Sequence, residues 1–286
     1  MDDTAADRQA ILPLVAQIMA YPLSQFTGQP QTKDWSQLPT FPAPQTSGGG
    51  EVQWVNPDQF FDVLAQVLDE VPPLAGEQAL YGLVGSVLQS ARQDPEQQAA
   101  LTKVAQEADQ DLIGPLFQYS NEGVPLAHGW GTLVNAARFG TDYVTRTAAA
   151  KANIFANKPE ESTYFFTDVD ANGERLHGRR DYSVTFTGGQ LPPVKGFWSL
   201  TLYDQHHFFA PNELGRYSLG TKNQDLHLDQ DGSLTISVQQ QPPQGQERSN
   251  WLPAPDAEFT LFLRAYWPEA AIADGNWTPP PVISGR

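Results

Sequence analysis

The stretch FWSLTLYDQHHFFAPNELGRYSLG, Phe197 to Gly220, sets two histidines, an Asp, an Asn and an Arg among aromatic rings. Asp204 or His207 has the chemistry of a general base acting on a bound water. Arg216 offers a planar fork of donors for a carboxylate or an anionic ligand. Tyr203 and Tyr217 can stack on a ligand ring and hydrogen-bond to it. His206 and His207 are adjacent, so in a continuing strand they point to opposite faces and at most one enters a given site. Up to Leu202 the alternation is regular; beyond it Pro211 cannot donate to a ladder. The stretch therefore reads as half strand and half rim, with its boundary near Asp204 and with Arg216 and Tyr217 re-entering the sheet at a cleft mouth. RYSLG is no nucleophile elbow, since Arg216 stands where the first Gly belongs.

Further candidates lie downstream. Asn250 and Trp251 sit in the Pro-bounded run RSNWLPAP, where an indole shields a pocket or an interface. Tyr203, Gln239, Arg264 and Tyr266 can share a polar sheet face. The expected ligand-binding set is Tyr203, His207, Arg216, Tyr217, Asn250, Trp251, Arg264 and Tyr266. Trp198 and Trp267 read as core. DVDANGERLHGR, Asp168 to Arg179, begins like a calcium loop, but Arg179 replaces the bidentate Glu at its twelfth position. Asn172 and Gly173 instead mark a hairpin turn, as DQDGS does from Asp229 to Ser233. His128, His177 and His227 stand alone, so neither a metal nor another cofactor is expected.

The elements that must position these residues change period along the chain. Asn56 and Pro57 start a helix with Phe60, Leu64, Val67 and Val71 on one face, and Asp94 and Pro95 start another. EQALYGLVGSVLQSAR lies between them, and a last helix is expected from Thr132 to Phe155. After Pro159 the period is two: Tyr182, Val184 and Phe186; Trp198, Leu200 and Leu202; Leu234, Ile236 and Val238; Phe259, Leu261, Leu263 and Ala265. This predicts an α+β chain, a helical N-terminal section followed by an antiparallel β-sandwich of jelly-roll-like form. Its expected parts are 1–55, a helix and a Pro/Gly-rich linker; 56–158, a helical subdomain; and 159–286, the sandwich.

The net charge is -16. It argues against a nucleic-acid or anionic-membrane partner, which clustered Lys and Arg would hold. The cations concentrate in residues 138 to 222, which carry 10 basic and 9 acidic residues, against 4 and 16 before them. That segment is either surface ion pairs or the wall of an anion-tolerant pocket. Cysteine is absent, so thiol content does not assign a redox compartment. No window spans a bilayer and MDDTAADRQA lacks the form of a signal peptide, so the chain as it stands reads as soluble.

The runs FGTDYVTRTAAAKANIFANKPEE, GQLPPVKGFWSLTLYD, HHFFAPNELGRYSLG, DGSLTISVQ, NWLPAPDAEFTLFLRAYWPE and DGNWTPPPV resemble the DUF1254/DUF1214 proteins, a bacterial family of unknown function. The resemblance is strongest over residues 132 to 286. An upstream PNxDTLY-like run common in the family has no counterpart here. The resemblance implies a jelly-roll-like C-terminal domain, a periplasmic, secreted or envelope-associated setting, and a homo-oligomer. Together with the residues it points to a small polar, carbohydrate-like ligand in a cleft of the sandwich. The alternatives are a hydrolase acting on a small polar substrate and a structural homo-oligomer without catalysis.

Overall fold

The computed structural model describes residues 5–19, 26–29, 56–117, 121–153, 156–243 and 248–285. The Pro/Gly-rich linker from Trp35 to Gly50 lies outside them. Two compact units are present, Met1–Gln106 and Glu107–Arg286.

In the first unit α1 is Ala5–Val15, α2 Phe60–Glu70, α3 Gln78–Ala91 and α4 Pro95–Ala108. The start signals act as expected from their chemistry. Asn56 Oδ1 accepts from the Asp58 N–H at 3.0 Å, and Asp94 Oδ1 from the Glu96 N–H at 2.9 Å. Leu88, Ala91 and Ala105 are buried, whereas Val63 and Leu83 are exposed.

The second unit holds β1 Val124–Pro125, β2 Gly131–Thr132, α5 Tyr143–Asn153, β3 Ser162–Thr167, β4 Tyr182–Phe186 and β5 Trp198–Asp204. It continues through β6 Ser218–Gly220, β7 Leu234–Gln239, β8 Trp251–Pro253, β9 Phe259–Tyr266, the short helix α6 Ala270–Ala273 and β10 Val282–Ser284. A six-stranded sheet runs β1-β2-β3-β9-β5-β6 and a four-stranded one β10-β4-β7-β8. Every pairing is antiparallel except β7 with β8. The chain is thus α+β, as its change of period predicts.

One apolar cluster joins the two sheets: Val184, Ile236 and Val238 from the smaller, Leu200, Leu261 and Leu263 from the larger. Strand β9 is central, pairing Leu263 with Phe165 of β3 and with Leu200 of β5. Since strand side chains alternate, the same register sends Phe262, Arg264 and Tyr266 to the opposite face.

Two expectations fail for local reasons. The helix expected from Thr132 begins only at Tyr143. Ala137 and Gly140, at φ of +57° and +56°, interrupt any earlier turn, and Asp142 Oδ1 caps the new start through the Thr145 N–H at 3.2 Å. Trp267 is 62% exposed rather than core. Its φ of +53° breaks the alternation just past β9, while its N–H donates to the Glu161 carbonyl at 2.8 Å.

Leu263 is fully buried in the central strand. Leu263→Ala is expected to cost about 2–5 kcal/mol through lost burial and a residual cavity, read as a lower urea midpoint.

Candidate functional site

Beyond Asp204 the chain turns instead of continuing as a strand. Asp204 Oδ1 accepts from the N–H groups of His206 at 2.8 Å and Phe208 at 3.0 Å, and the His207 N–H donates to the Asp204 carbonyl at 3.0 Å. His207 takes a φ of +62°. One of the two candidate bases is therefore engaged in building the turn that positions the other. The turn returns Phe209 against Tyr203, with ring centroids 5.3 Å apart, and Tyr217 stacks on Phe209 at 4.8 Å. Asn212 organises the rest of the loop: its Oδ1 accepts from the Arg216 N–H at 3.1 Å and its Nδ2 donates to the Arg216 carbonyl at 2.9 Å.

The outer face of the six-stranded sheet borders a cavity of about 120 Å³. Tyr164 and Phe166 of β3, Phe262 and Arg264 of β9, and Tyr203 of β5 form its sheet side. Leu133, Ala136, Ala149 and Ala156 bound it opposite, and Glu122 and His207 complete the lining. The small alanines keep the helix side from filling the space. A larger hollow of about 300 Å³ lies in the helical unit, but its wall has no comparable convergence of aromatic rings and unpaired charge.

Arg264 is the cation of this cavity. Nη1 donates to Thr201 Oγ1 at 3.0 Å and Nη2 to the Tyr203 hydroxyl at 2.7 Å. The guanidinium carbon lies 4.5 Å from the Phe262 ring centroid and 5.4 Å from that of Tyr203. These contacts fix the fork, occupy two of its five N–H donors and leave three. Among the described residues no carboxylate pairs with it. Other arginines of the unit do find carboxylates: Arg138 with Glu160, Arg175 with Asp168 and Glu258, Arg179 with Asp256, Arg180 with Glu174. At least four of the ten cations of the middle segment thus pair with carboxylates, and the guanidinium that enters the cavity comes instead from β9.

Glu122 is only 6% exposed, and its Oε1 is shut from solvent without a hydrogen-bond partner among the described residues. Burial, and then the charge of Asp168, push its carboxyl up to about 8. Asp168 is itself buried and ion-paired with Arg175. Tyr266 is also raised, by burial first and by Tyr164 next; its ring stacks on Phe197 at 4.2 Å.

Of the eight residues expected to bind, Tyr203, His207 and Arg264 line the cavity, while Tyr217 and Tyr266 join the aromatic contacts beside it. Arg216, Asn250 and Trp251 do not line it. Arg216 Nη1 donates to the carbonyls of Arg248 at 2.9 Å and Trp251 at 3.0 Å, fastening the approach to β8. Asn250 is buried and pairs with both backbone groups of His227, accepting at 2.9 Å and donating at 2.7 Å. Trp251 is a buried strand residue, not a loop shield, and its indole N–H donates to the Gln239 carbonyl at 2.8 Å. Gln239 belongs to β7 in the other sheet, so it shares no face with Arg264.

Glu122 is not among the residues expected from the sequence; it falls within the span 56–158 expected as a helical subdomain, where the run NEGVPLAHGW carries no motif. The calcium-like segment is a turn, with Asp170 Oδ1 accepting from the N–H groups of Asn172 at 2.8 Å and Glu174 at 3.0 Å and Gly173 at a φ of +81°. Among the described residues no His, Cys, Asp and Glu group converges as metal ligands would.

Residues 161–270 match the family described as protein of unknown function (DUF1214). That span includes Tyr203 and Arg264 but not Glu122. The DUF1254 part of the expected family is not shown. No curated protein matches the chain. Among solved structures, the VPA0106 protein of Vibrio parahaemolyticus is 22% identical at a TM-score of 0.49, covering 100% of this chain and 67% of that one. An uncharacterised protein from Burkholderia cenocepacia is 18% identical at a TM-score of 0.31, covering 76% and 50%.

Two measurements follow from this geometry. The folded Glu122 carboxyl holds its proton up to about pH 8, whereas the unfolded one releases it above 4.5. Its presence therefore costs nothing relative to a neutral amide below 4.5, and the cost grows as pH rises toward 8. Glu122→Gln is expected to gain stability over the parent by on the order of 3 kcal/mol more at pH 8 than at pH 5.5 in urea unfolding. Arg216→Ala is expected to lose about 1–2 kcal/mol in urea unfolding, because it unfastens the carbonyls of Arg248 and Trp251.

Proposed function

We propose that the second unit binds a small polar ligand carrying an anionic group, in the cavity on the outer face of its six-stranded sheet. One observation carries this reading: Arg264 is held in place by Thr201 and Tyr203, stacked on aromatic rings, and lacks a carboxylate partner among the described residues. A cation so placed is favourable when an anion completes its donors, and a planar fork suits a carboxylate better than a point charge does. The rings of Tyr164, Phe166 and Phe262 give the ligand body an apolar surface, with few polar groups to orient it, as small-molecule sites require.

The enclosed space sets the size. A cavity of about 150 Å³ accommodates a benzene-sized body, and this one is about 120 Å³. The ligand is therefore a small acid, or one acidic end of a sugar acid whose remainder extends through the mouth. The carbohydrate-like expectation is kept in that form.

Thermal shift and calorimetry on butyrate, lactate, glucuronate, inorganic phosphate and glucose test this. At least one carboxylate is expected to raise the melting temperature of the parent, and Arg264→Met is expected to abolish that shift while melting within a few degrees of the parent. Glucose binding as well as the acids, with Arg264→Met unaffected, would refute the reading.

A further inference from the structure

Arg264 meets the anionic group of such a ligand, and Glu122 is the acid that shares the cavity with it. Glu122 lines the same space, is 6% exposed, and has Oε1 closed off from solvent and unpartnered among the described residues. We propose that Glu122 acts as an O–H donor to an uncharged oxygen of the ligand, so that the site selects small hydroxy or oxo monocarboxylates over alkyl acids and dicarboxylates. This deepens the Arg264 reading and rests on it.

The placement supplies the argument. Tyr164 lies opposite Arg264, and Phe166 opposite Phe262, across the β3–β9 pairing, while Tyr203 lies across β9 on β5. The floor thus runs across β3, β9 and β5, two strand spacings or roughly 10 Å wide. The groups facing Glu122 decide its protonation and its preference. Asp168, just past β3, is negative and held by Arg175. Tyr164 comes from β3, Arg264 from β9, and Tyr203 and His207 from β5 and its turn. From the other side Leu133, Ala136 and Ala149 bring no charge.

A second carboxylate beside Glu122 would lie in the field of Asp168, whose neighbouring cation, Arg175, is already engaged by Asp168 and Glu258. An alkyl end would leave a buried O–H without an acceptor, which is costly. A hydroxyl or carbonyl oxygen satisfies it. The Glu122 proton, retained up to about pH 8, is what the ligand oxygen accepts.

The matched acids 4-hydroxybutyrate, butyrate and succinate test this by calorimetry on the full chain, its Glu122→Gln variant and its Arg264→Met variant. At pH 7 the parent is expected to bind 4-hydroxybutyrate at least fivefold more tightly than either other acid. From pH 7 to 9.5 that affinity is expected to fall roughly thirtyfold as Glu122 ionises, tenfold for each pH unit above its midpoint. Glu122→Gln, which keeps a neutral donor, is expected to bind at pH 7 and to lose the pH dependence; Arg264→Met is expected to bind none of the three. Butyrate binding as tightly as 4-hydroxybutyrate, or Glu122→Gln showing the same alkaline fall, overturns the role of Glu122, and continued loss in Arg264→Met then leaves the anion site standing. Failure of all three acids on the parent also overturns it, and the wider panel of anions then decides the Arg264 reading separately.

Discussion

The double pairing of β9 is the constraint on which the rest of the second unit depends. Its neighbours β3 and β5 fix its register from both sides, so each of its residues has no choice of face. Leu261, Leu263 and Ala265 are fully buried against the second sheet. At roughly 1.5–3 kcal/mol for each large side chain, that burial is strong enough to dictate where the intervening residues go. Phe262, Arg264 and Tyr266 must then lie on the outer face, and a charged side chain in the middle of a central strand has to be accommodated there. Thr201 and Tyr203, presented by β5 on the same face, hold it. The aromatic rings around it exclude water from one side of the guanidinium and strengthen its attraction for an anion.

Electrostatically the unit separates its charges. Arginines from the loops are answered by nearby carboxylates at the surface, where such pairs contribute little to stability. Two groups are treated differently. Arg264 keeps donors available beyond those given to Thr201 and Tyr203, and its ring contacts favour a cation. Glu122 is driven toward neutrality because burial removes water and Asp168 adds a like charge. A fixed cation and a buried acid of raised pKa thus line one largely aromatic space, an electrostatically uneven arrangement.

The loop after β5 shows how polar side chains substitute for secondary structure. Asp204 and Asn212 each satisfy several backbone groups that no strand pairs, and Asn250 does the same for His227. Side chains used this way are unavailable to a ligand, although by residue type alone they look like site residues. Arg216 belongs with them, since backbone carbonyls take its donors.

The α+β class, the strands β4, β5, β7 and β9 and the end of β5 at Asp204 were legible in the sequence, because burial on one face imposes a period of two that survives in the order of residues. Arg264, Tyr203 and Tyr266 could be placed on one face by the same counting. What only the tertiary structure decided was which polar groups meet. Glu122 lies far along the chain from β9, and nothing in its neighbours in sequence distinguishes it from a solvated loop acid; its burial comes from strands that close over it. Gln239 shows the converse, having the right alternation but the wrong sheet. Periodicity is a local property and fixes faces, whereas a cavity is made by surfaces distant in sequence, whose meeting depends on packing that no single segment encodes.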